Sequence, residues 1–120
     1  MLQKLLKQKS KIRMLLLLSI VFFSSCSSSE CNDEKACTFF TEQMNVIEAS
    51  IKGDDSLNVE SINTAILNLE EITNITSSSD GNYLGRFNPS KKDFKNWRDW
   101  YKSNKHRLYW DDKEKKVKLN

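Results

Sequence analysis

The chain has few of the residues from which most catalytic and metal sites are built: one histidine, three cysteines and three glycines in 120 residues. The single histidine, His106, lies between a lysine and an arginine, which opposes cation binding. No combination of cysteine and histidine offers a zinc ligand set, and no glycine motif fits a phosphate. Cys37 has no evident general-base partner. The sequence therefore predicts a protein that is not an enzyme and holds neither a metal ion nor a cofactor.

A long hydrophobic run is also missing. Residues 14–23 (MLLLLSIVFF) are almost wholly apolar, but a helix that crosses a bilayer needs about 20 apolar residues. Residues 1–13 carry five cations and no acid, and Ser24, Ser25 and Cys26 follow the apolar run. A basic segment, a short apolar run and small residues are typical of a secretory signal peptide. We therefore expect the protein to be exported.

The cysteine that ends this segment resembles the lipobox of bacterial lipoproteins, with Phe23 where that family usually has leucine, valine or isoleucine. The resemblance implies that the signal is cut before Cys26, that Cys26 is diacylated on sulfur, and that the lipid holds the protein on a membrane of the bacterial cell envelope. Ser27 in the next position favours the outer membrane if the cell is Gram-negative. An ordinary cleaved signal and an uncleaved anchor are the alternatives. The predicted organisation is a signal peptide (residues 1–25), a serine-rich tether (26–31) and one domain (32–120).

Net charge changes once the signal is set aside. The whole chain has 19 lysines and arginines against 16 acids, and five of the bases lie in residues 1–13. The basic excess therefore belongs to the segment that is removed. Charge is also divided along the chain: residues 30–80 have eleven acids and two bases, and residues 81–120 have twelve bases and five acids. We expect the two halves to attract in the folded protein, although exposed pairs contribute little individually.

Cys31 and Cys37 remain as a pair if Cys26 is lipidated. One interpretation is a disulfide, because disulfides form in oxidising compartments outside the cytoplasm. The other is two free thiols, one of them buried. Six residues within one regular helix would separate the Cα atoms by about 9 Å, which is too far for a disulfide. The disulfide therefore requires that Cys31 precede the first helix.

Apolar spacing predicts an antiparallel pair of helices. The first helix carries an apolar stripe formed by Phe40, Met44, Ile47 and Ile51. Asn32 is its expected cap and Gly53 its expected stop. A second helix is expected over about residues 58–73. The short connection between two amphipathic helices favours a helical hairpin.

The remainder of the chain predicts a third helix and a small β-hairpin. Residues 76–89 have the composition of a loop. Ser90 and Asp93 are typical of a helix cap, so an aromatic-rich helix is expected over about residues 91–104. Alternating apolar residues predict a hairpin between residues 108–110 and 117–119. The fold class expected is therefore mainly α.

Part of this pattern resembles a helical repeat of the HEAT type in exported bacterial proteins. The resemblance is carried by residues 69–73 (LEEIT), the loop to Pro89 and residues 97–104 (WRDWYKSN). Asn74 stands where that family usually has glycine. A stable array needs about three repeats, so the resemblance implies a single unit like the end of such an array, with the aromatic helix covering its apolar face. It implies a binding or scaffolding role and brings no catalytic residues.

Aromatic and basic residues are concentrated around the third helix. Three tryptophans and two tyrosines lie within residues 97–110, and most of this aromatic area is expected in the core. Trp100 lies beside the predicted apolar stripe, so it is the expected exception. The candidate partner surface consists of Trp100, Arg98, Lys95, Lys102 and Tyr101. Such a surface suits a protein hot spot or a platform on which a sugar stacks.

The basic residues of this region are compatible with several partners. Export argues against nucleic acid, whereas anionic lipid head groups or an acidic partner fit the compartment. A solvated helix face paired with the acidic half of the chain is the alternative. The sequence therefore predicts a membrane-anchored, non-enzymatic interaction or structural module at the cell envelope, with an envelope protein or a glycan as its partner. The alternative function is binding of a glycan or envelope polymer through exposed tryptophan and tyrosine.

Overall fold

Three helices and a C-terminal β-hairpin are the main elements of the described part of the chain. The computed structural model describes residues 29–79, 81–82 and 85–120, so the predicted signal peptide and Cys26 lie outside the described residues. In chain order the elements are α1 (Glu34–Ile51), α2 (Val59–Thr73), β1 (Gly81–Asn82), β2 (Gly85–Arg86), α3 (Lys91–Asn104), a 3-10 turn (Lys105–Arg107), β3 (Leu108–Asp111) and β4 (Lys116–Leu119). The prediction of a mainly α fold with a small β-hairpin is confirmed.

Helix α1 is capped by Asp33. The Asp33 carboxylate accepts a hydrogen bond from the backbone N–H of Ala36 at 3.1 Å, which satisfies one of the free donors at the helix start. The prediction of Asn32 as the cap is wrong, because the Asn32 side-chain amide donates instead to the carbonyl of His106 at 3.0 Å. After the helix the chain turns at Gly53, whose φ of 79° is typical of a residue that ends a helix.

Helix α2 folds back on α1 as the predicted antiparallel hairpin. Asn58 caps its start by accepting a hydrogen bond from the N–H of Ser61 at 2.7 Å. Asn74 ends the helix with a φ of 57°, a left-handed conformation that asparagine tolerates. Near the middle of the pair, the Asn68 side-chain amide donates to the side-chain oxygen of Gln43 at 3.0 Å. This polar contact lies beside the apolar faces that join the two helices.

Helix α3 also packs antiparallel to α1. The ring of Phe40, early in α1, stacks on Tyr101, late in α3, with centroids 4.7 Å apart. At the opposite ends of the two helices, Ile51 lies beside Phe94. Trp97 faces the core and is fully buried, and its indole N–H donates to the carbonyl of Ile75 at 3.1 Å. A large ring with its one polar atom satisfied is well suited to the centre of a small core.

The start of α3 is held by Asp93, a buried carboxylate. Ser90 accepts from the N–H of Asp93, and Asp93 accepts from the N–H of Ser90 at 2.8 Å, which forms a capping box. Asp93 also accepts from the backbone N–H of Ser78 at 2.8 Å and from its hydroxyl. Burial by itself would raise the pKa of Asp93, but the hydrogen bonds from Ser90 and Ser78 outweigh it and hold the pKa below its usual range.

The connection between α2 and α3 is more ordered than the loop predicted over residues 76–89. Strands β1 and β2 pair antiparallel within it, with Asn82 opposite Gly85. The N–H of Arg86 donates to the Asn63 side chain at 2.8 Å, so helix α2 supplies an acceptor that composition does not reveal. Gly85 has a φ of 111°, and a Cβ there would lie 2.5 Å from the Asn63 side chain, so this position accepts only glycine without rearrangement.

Strands β3 and β4 form the hairpin that alternation predicted. Trp110 is opposite Val117 and Leu108 is opposite Leu119. Leu108 and Val117 are buried, which places one face of the hairpin in the core. Lys118 ion-pairs with Asp111 at 2.8 Å across the strands, and this contact lowers the pKa of Asp111 to about 2. The hairpin is too small to be stable alone, so its packing on the helices maintains it.

Helix α1 is the central element because it contacts α2, α3 and both strands of the hairpin. Its buried side chains meet those of every other major element in one hydrophobic core. The buried hydrophobic residues are Ala36, Cys37, Phe40, Met44, Ile47, Ile62, Ala65, Ile66, Leu69, Ile72, Trp97, Leu108 and Val117. One core of this size predicts a single cooperative unfolding transition.

Replacement of Trp97 tests this core. We expect Trp97→Ala to lower the free energy of unfolding by about 3–5 kcal/mol, because it leaves a large cavity and frees the carbonyl of Ile75. The matched control is Leu67→Ala on α2, where the side chain is 51% exposed and the expected change is within about 0.5 kcal/mol. Urea unfolding of the two variants measures both values. Equal losses would contradict the assignment of Trp97 to the core.

Replacement of Asp93 tests the buried carboxylate. We expect Asp93→Ala to cost about 1–3 kcal/mol at neutral pH, because the donors of Ser78 and Ser90 lose their acceptor. The folded-state pKa of Asp93 is lowered from 3.8, so its stabilisation is fully present above that pH and is lost as pH falls through the folded-state value. Unfolding free energies of wild type and variant should therefore converge in acid. A difference that stays constant with pH would argue against an ionised Asp93.

Candidate functional site

Five cations lie on one face at helix α3. Lys91, Lys95, Arg98, Lys102 and Lys105 recur at intervals of four, three, four and three residues, the last of them just beyond the helix. At about 100° per residue this spacing keeps all five within about 40° of one line along the helix. The side chains of Lys95 and Arg98 are 64% and 47% exposed. We call this set the basic stripe.

Aromatic rings run along one edge of the basic stripe. The Arg98 guanidinium lies over the ring of Phe94, 5.7 Å from its centroid. The Lys105 ammonium lies 5.9 Å from the centroid of Tyr101. Both rings are half-buried, since they also belong to the packing between α3 and α1. These contacts hold two of the cations in place by cation–π attraction.

The structure divides the five residues of the predicted partner surface. Lys95, Arg98 and Lys102 lie within about 60° of one another around α3. Tyr101 lies at the edge of that face, and its half-buried ring stacks on Phe40. Trp100 lies about 140–160° around the helix from the three cations. Its half-buried ring packs on Phe40 with centroids 5.9 Å apart, so it belongs to the edge of the core. The partner surface supported by geometry therefore extends to Lys91 and Lys105, which belong to the basic region of the sequence, and to the ring of Phe94.

The charge of the basic stripe is only partly balanced. Asp99 beside it accepts a hydrogen bond from Lys95 and lies 3.9 Å from Arg98. The Lys95 contact holds the pKa of Asp99 below its usual range. Among the described residues, no cation of the stripe is ion-paired with the acidic half of the chain. That half pairs with other cations, as in the contacts Arg86–Glu70 at 2.6 Å and Lys116–Glu71 at 2.8 Å.

Residues 29–33 are fastened along the end of α3. Cys31 and Cys37 are joined by a disulfide, with their Cα atoms 6.4 Å apart, and Cys31 lies before α1 as a disulfide requires. The Ser29 hydroxyl donates to the carbonyl of Lys102, in the last turn of α3. Asn32 adds its hydrogen bond to His106 one turn further on. The chain therefore enters the domain beside the C-terminal end of the basic stripe.

Asp33 joins this entering segment to the hairpin. One carboxylate oxygen caps α1, and the other accepts a hydrogen bond from the backbone N–H of Trp110 at 2.8 Å. The bonds from Trp110 and Ala36 hold the pKa of Asp33 below its usual range. The side chain of Asp33 therefore connects the start of the first helix with strand β3, far along the chain.

The three tryptophans do not form an open platform. Trp97 is fully buried. Trp100 is covered by Phe40. The indole of Trp110 is half-buried, with the ring of Phe39 at 5.6 Å and the Lys35 ammonium at 4.6 Å from its own ring. A shallow groove passes Trp110, Phe39 and Asp33, and its other walls are exposed polar and charged residues.

The described residues offer no grouping of His, Cys, Asp and Glu that could hold a metal ion. His106 is exposed in the 3-10 turn. In this part of the chain no helix is both long and apolar enough to cross a membrane. Comparisons with known protein families, with curated proteins and with solved structures found no match. The HEAT-type resemblance therefore stays a prediction.

Substitutions at Asp33 separate its two roles. Asn can still cap a helix with its one oxygen, but its NH₂ group cannot accept from Trp110. We expect Asp33→Asn to speed hydrogen exchange at the Trp110 amide while α1 stays capped, and Asp33→Ala to destabilise the protein further. The control is Asp112→Ala, since Asp112 forms only an exposed pair with Lys35 at 3.8 Å. Unchanged protection of the Trp110 amide in Asp33→Asn would contradict the connection between Asp33 and the hairpin.

Proposed function

We propose that this protein is a lipid-anchored bacterial envelope protein whose domain is a non-enzymatic interaction or structural module. The observation that carries the proposal is the segment before Cys26: five cations, ten nearly apolar residues, two serines and then the cysteine. This order matches an exported precursor whose cysteine becomes the first residue. Two acyl chains on that cysteine give stable membrane attachment, whereas one chain gives marginal binding.

The disulfide supports an exported location. Cys31 lies five residues after Cys26 and is bonded to Cys37. Disulfides persist in oxidising compartments and are rare where cellular thiols are kept reduced. The bridge closes a short loop, so it fixes the entering segment more than it stabilises the whole fold. Its place between tether and helix is consistent with a domain that is held by its N-terminus.

The described surface favours an interaction role. It carries the basic stripe, which offers positive charge and the edges of Phe94 and Tyr101. Stacking of a glycan is less well supported, because Trp97, Trp100 and Trp110 are buried or half-buried. The large hydrophobic residues that are exposed in the described chain are aliphatic: Val59, Leu67 and Leu119. The favoured site of action is the envelope membrane that carries the anchor, the outer membrane if the cell is Gram-negative.

Mass spectrometry of the full chain expressed in a bacterium tests the anchor. We expect the wild-type N-terminal peptide to begin at an acylated Cys26, and we expect Cys26→Ser to carry no acyl group and to leave the membrane fraction. The matched control is Cys31→Ser, which should keep the acylated Cys26 because it changes only the disulfide. A wild-type protein that retains Met1, or whose mature N-terminus has no fatty acid, would disprove the anchor.

A further inference from the structure

We propose that the basic stripe of α3 lies on the anionic head groups of the membrane that holds the Cys26 lipid. The proposal rests on the lipid anchor of the proposed function and names the partner of the domain: an anionic lipid surface. Three observations carry it, namely where the chain enters the domain, how firmly the entering segment is held, and how the charges are arranged.

The chain enters at the end of the stripe. Ser29 bonds to the carbonyl of Lys102, and Cys26 precedes Ser29 by three residues. Three fully extended residues span at most about 11 Å. The Cα atom of Cys26 therefore lies within about 11 Å of that of Ser29, which keeps the membrane that holds its lipid near the Lys102 end of the stripe. A tether this short limits the distance between the domain and the membrane, and it starts beside the end of the stripe.

The entering segment cannot swing freely away from the stripe. The Cys31–Cys37 disulfide fixes it covalently. Three hydrogen bonds add to this: Ser29 to the carbonyl of Lys102, Asn32 to the carbonyl of His106, and the Trp110 N–H to Asp33. Two of these contacts are made to the last turn of α3 and the 3-10 turn that follows. The fixed position of residues 29–33 therefore sets where the three residues that lead back to Cys26 begin.

The arrangement of charge suits a flat anionic surface. From Lys91 to Lys105 the stripe is about 21 Å long, at 1.5 Å per residue. Among the described residues its only ion-pair partner is Asp99, so its net charge stays positive. Lysine and arginine beside an anionic membrane are attracted to it, and the attraction falls within a Debye length. An extended line of cations matches a surface of head groups better than a single small ligand.

Lysine acetylation of the lipidated protein in vesicles tests the proposal. The purified mature protein is inserted into phosphatidylcholine vesicles with or without phosphatidylglycerol, and acetylation at each lysine is read by mass spectrometry. We expect phosphatidylglycerol to slow acetylation of Lys91, Lys95, Lys102 and Lys105 by about fivefold. High salt should remove this protection. Lys113 and Lys115, exposed in the hairpin turn, should react equally in both vesicles.

A pair of charge reversals provides the matched control. Lys95→Glu with Lys102→Glu should abolish the protection of Lys91 and Lys105. Lys113→Glu with Lys115→Glu changes net charge by the same amount and should leave that protection intact. All four side chains are exposed, so circular dichroism of both variants should match that of the wild type.

The outcomes separate this inference from the anchor itself. An acylated N-terminal peptide together with equal acetylation in both vesicles would overturn the inference and leave the anchor standing. An N-terminal peptide without acyl groups would overturn both the inference and the anchor. In a third outcome, anionic lipid alone gives no protection and an added acidic envelope protein gives it. That result would overturn the inference and would assign the stripe to a protein partner.

Discussion

The carboxylate of Asp33 is the interaction on which the arrangement of the whole domain depends. One oxygen starts helix α1 and the other receives the backbone of strand β3. Since α1 contacts every other major element, the position of its first turn decides where the hairpin can pack. A carboxylate can do both because it has two acceptor oxygens and prefers to stay charged when N–H groups surround it. The fold therefore brings together parts of the chain that are 77 residues apart.

Local rules were sufficient to predict most elements from the sequence. Ser90 and Asp93 identify the start of α3 because both halves of a capping box are local in sequence. Alternation predicted that the apolar residues of the hairpin share one face, and the structure pairs Trp110 with Val117 on that face. The choice between Asn32 and Asp33 as cap was not predictable, because it depends on distant backbone groups at Trp110 and His106 that compete for these side chains.

Tertiary contacts also explain what the sequence did not reveal about the candidate site. Trp100 was expected at an exposed surface because it flanks the apolar stripe of α3, but Phe40 from another helix covers it. Strand β2 is joined to α2 by the hydrogen bond from the Arg86 N–H to the Asn63 side chain, a contact far apart in sequence. The basic stripe is different. Its spacing is local, and the periodicity of a helix alone places Lys91 and Lys105 in line with Lys95.

The disulfide has a mechanical consequence for a domain held by its N-terminus. Helix ends normally fray first, since their terminal residues make the fewest hydrogen bonds. Cys37 lies one turn inside α1, and Cys31 lies on the tether side of the cap. A force that pulls on the chain before Cys31 therefore reaches α1 through the disulfide at Cys37. It bypasses the first turn of the helix, which is the weakest. Such a force would load the buried part of α1 directly, and the first turn would not unravel under it.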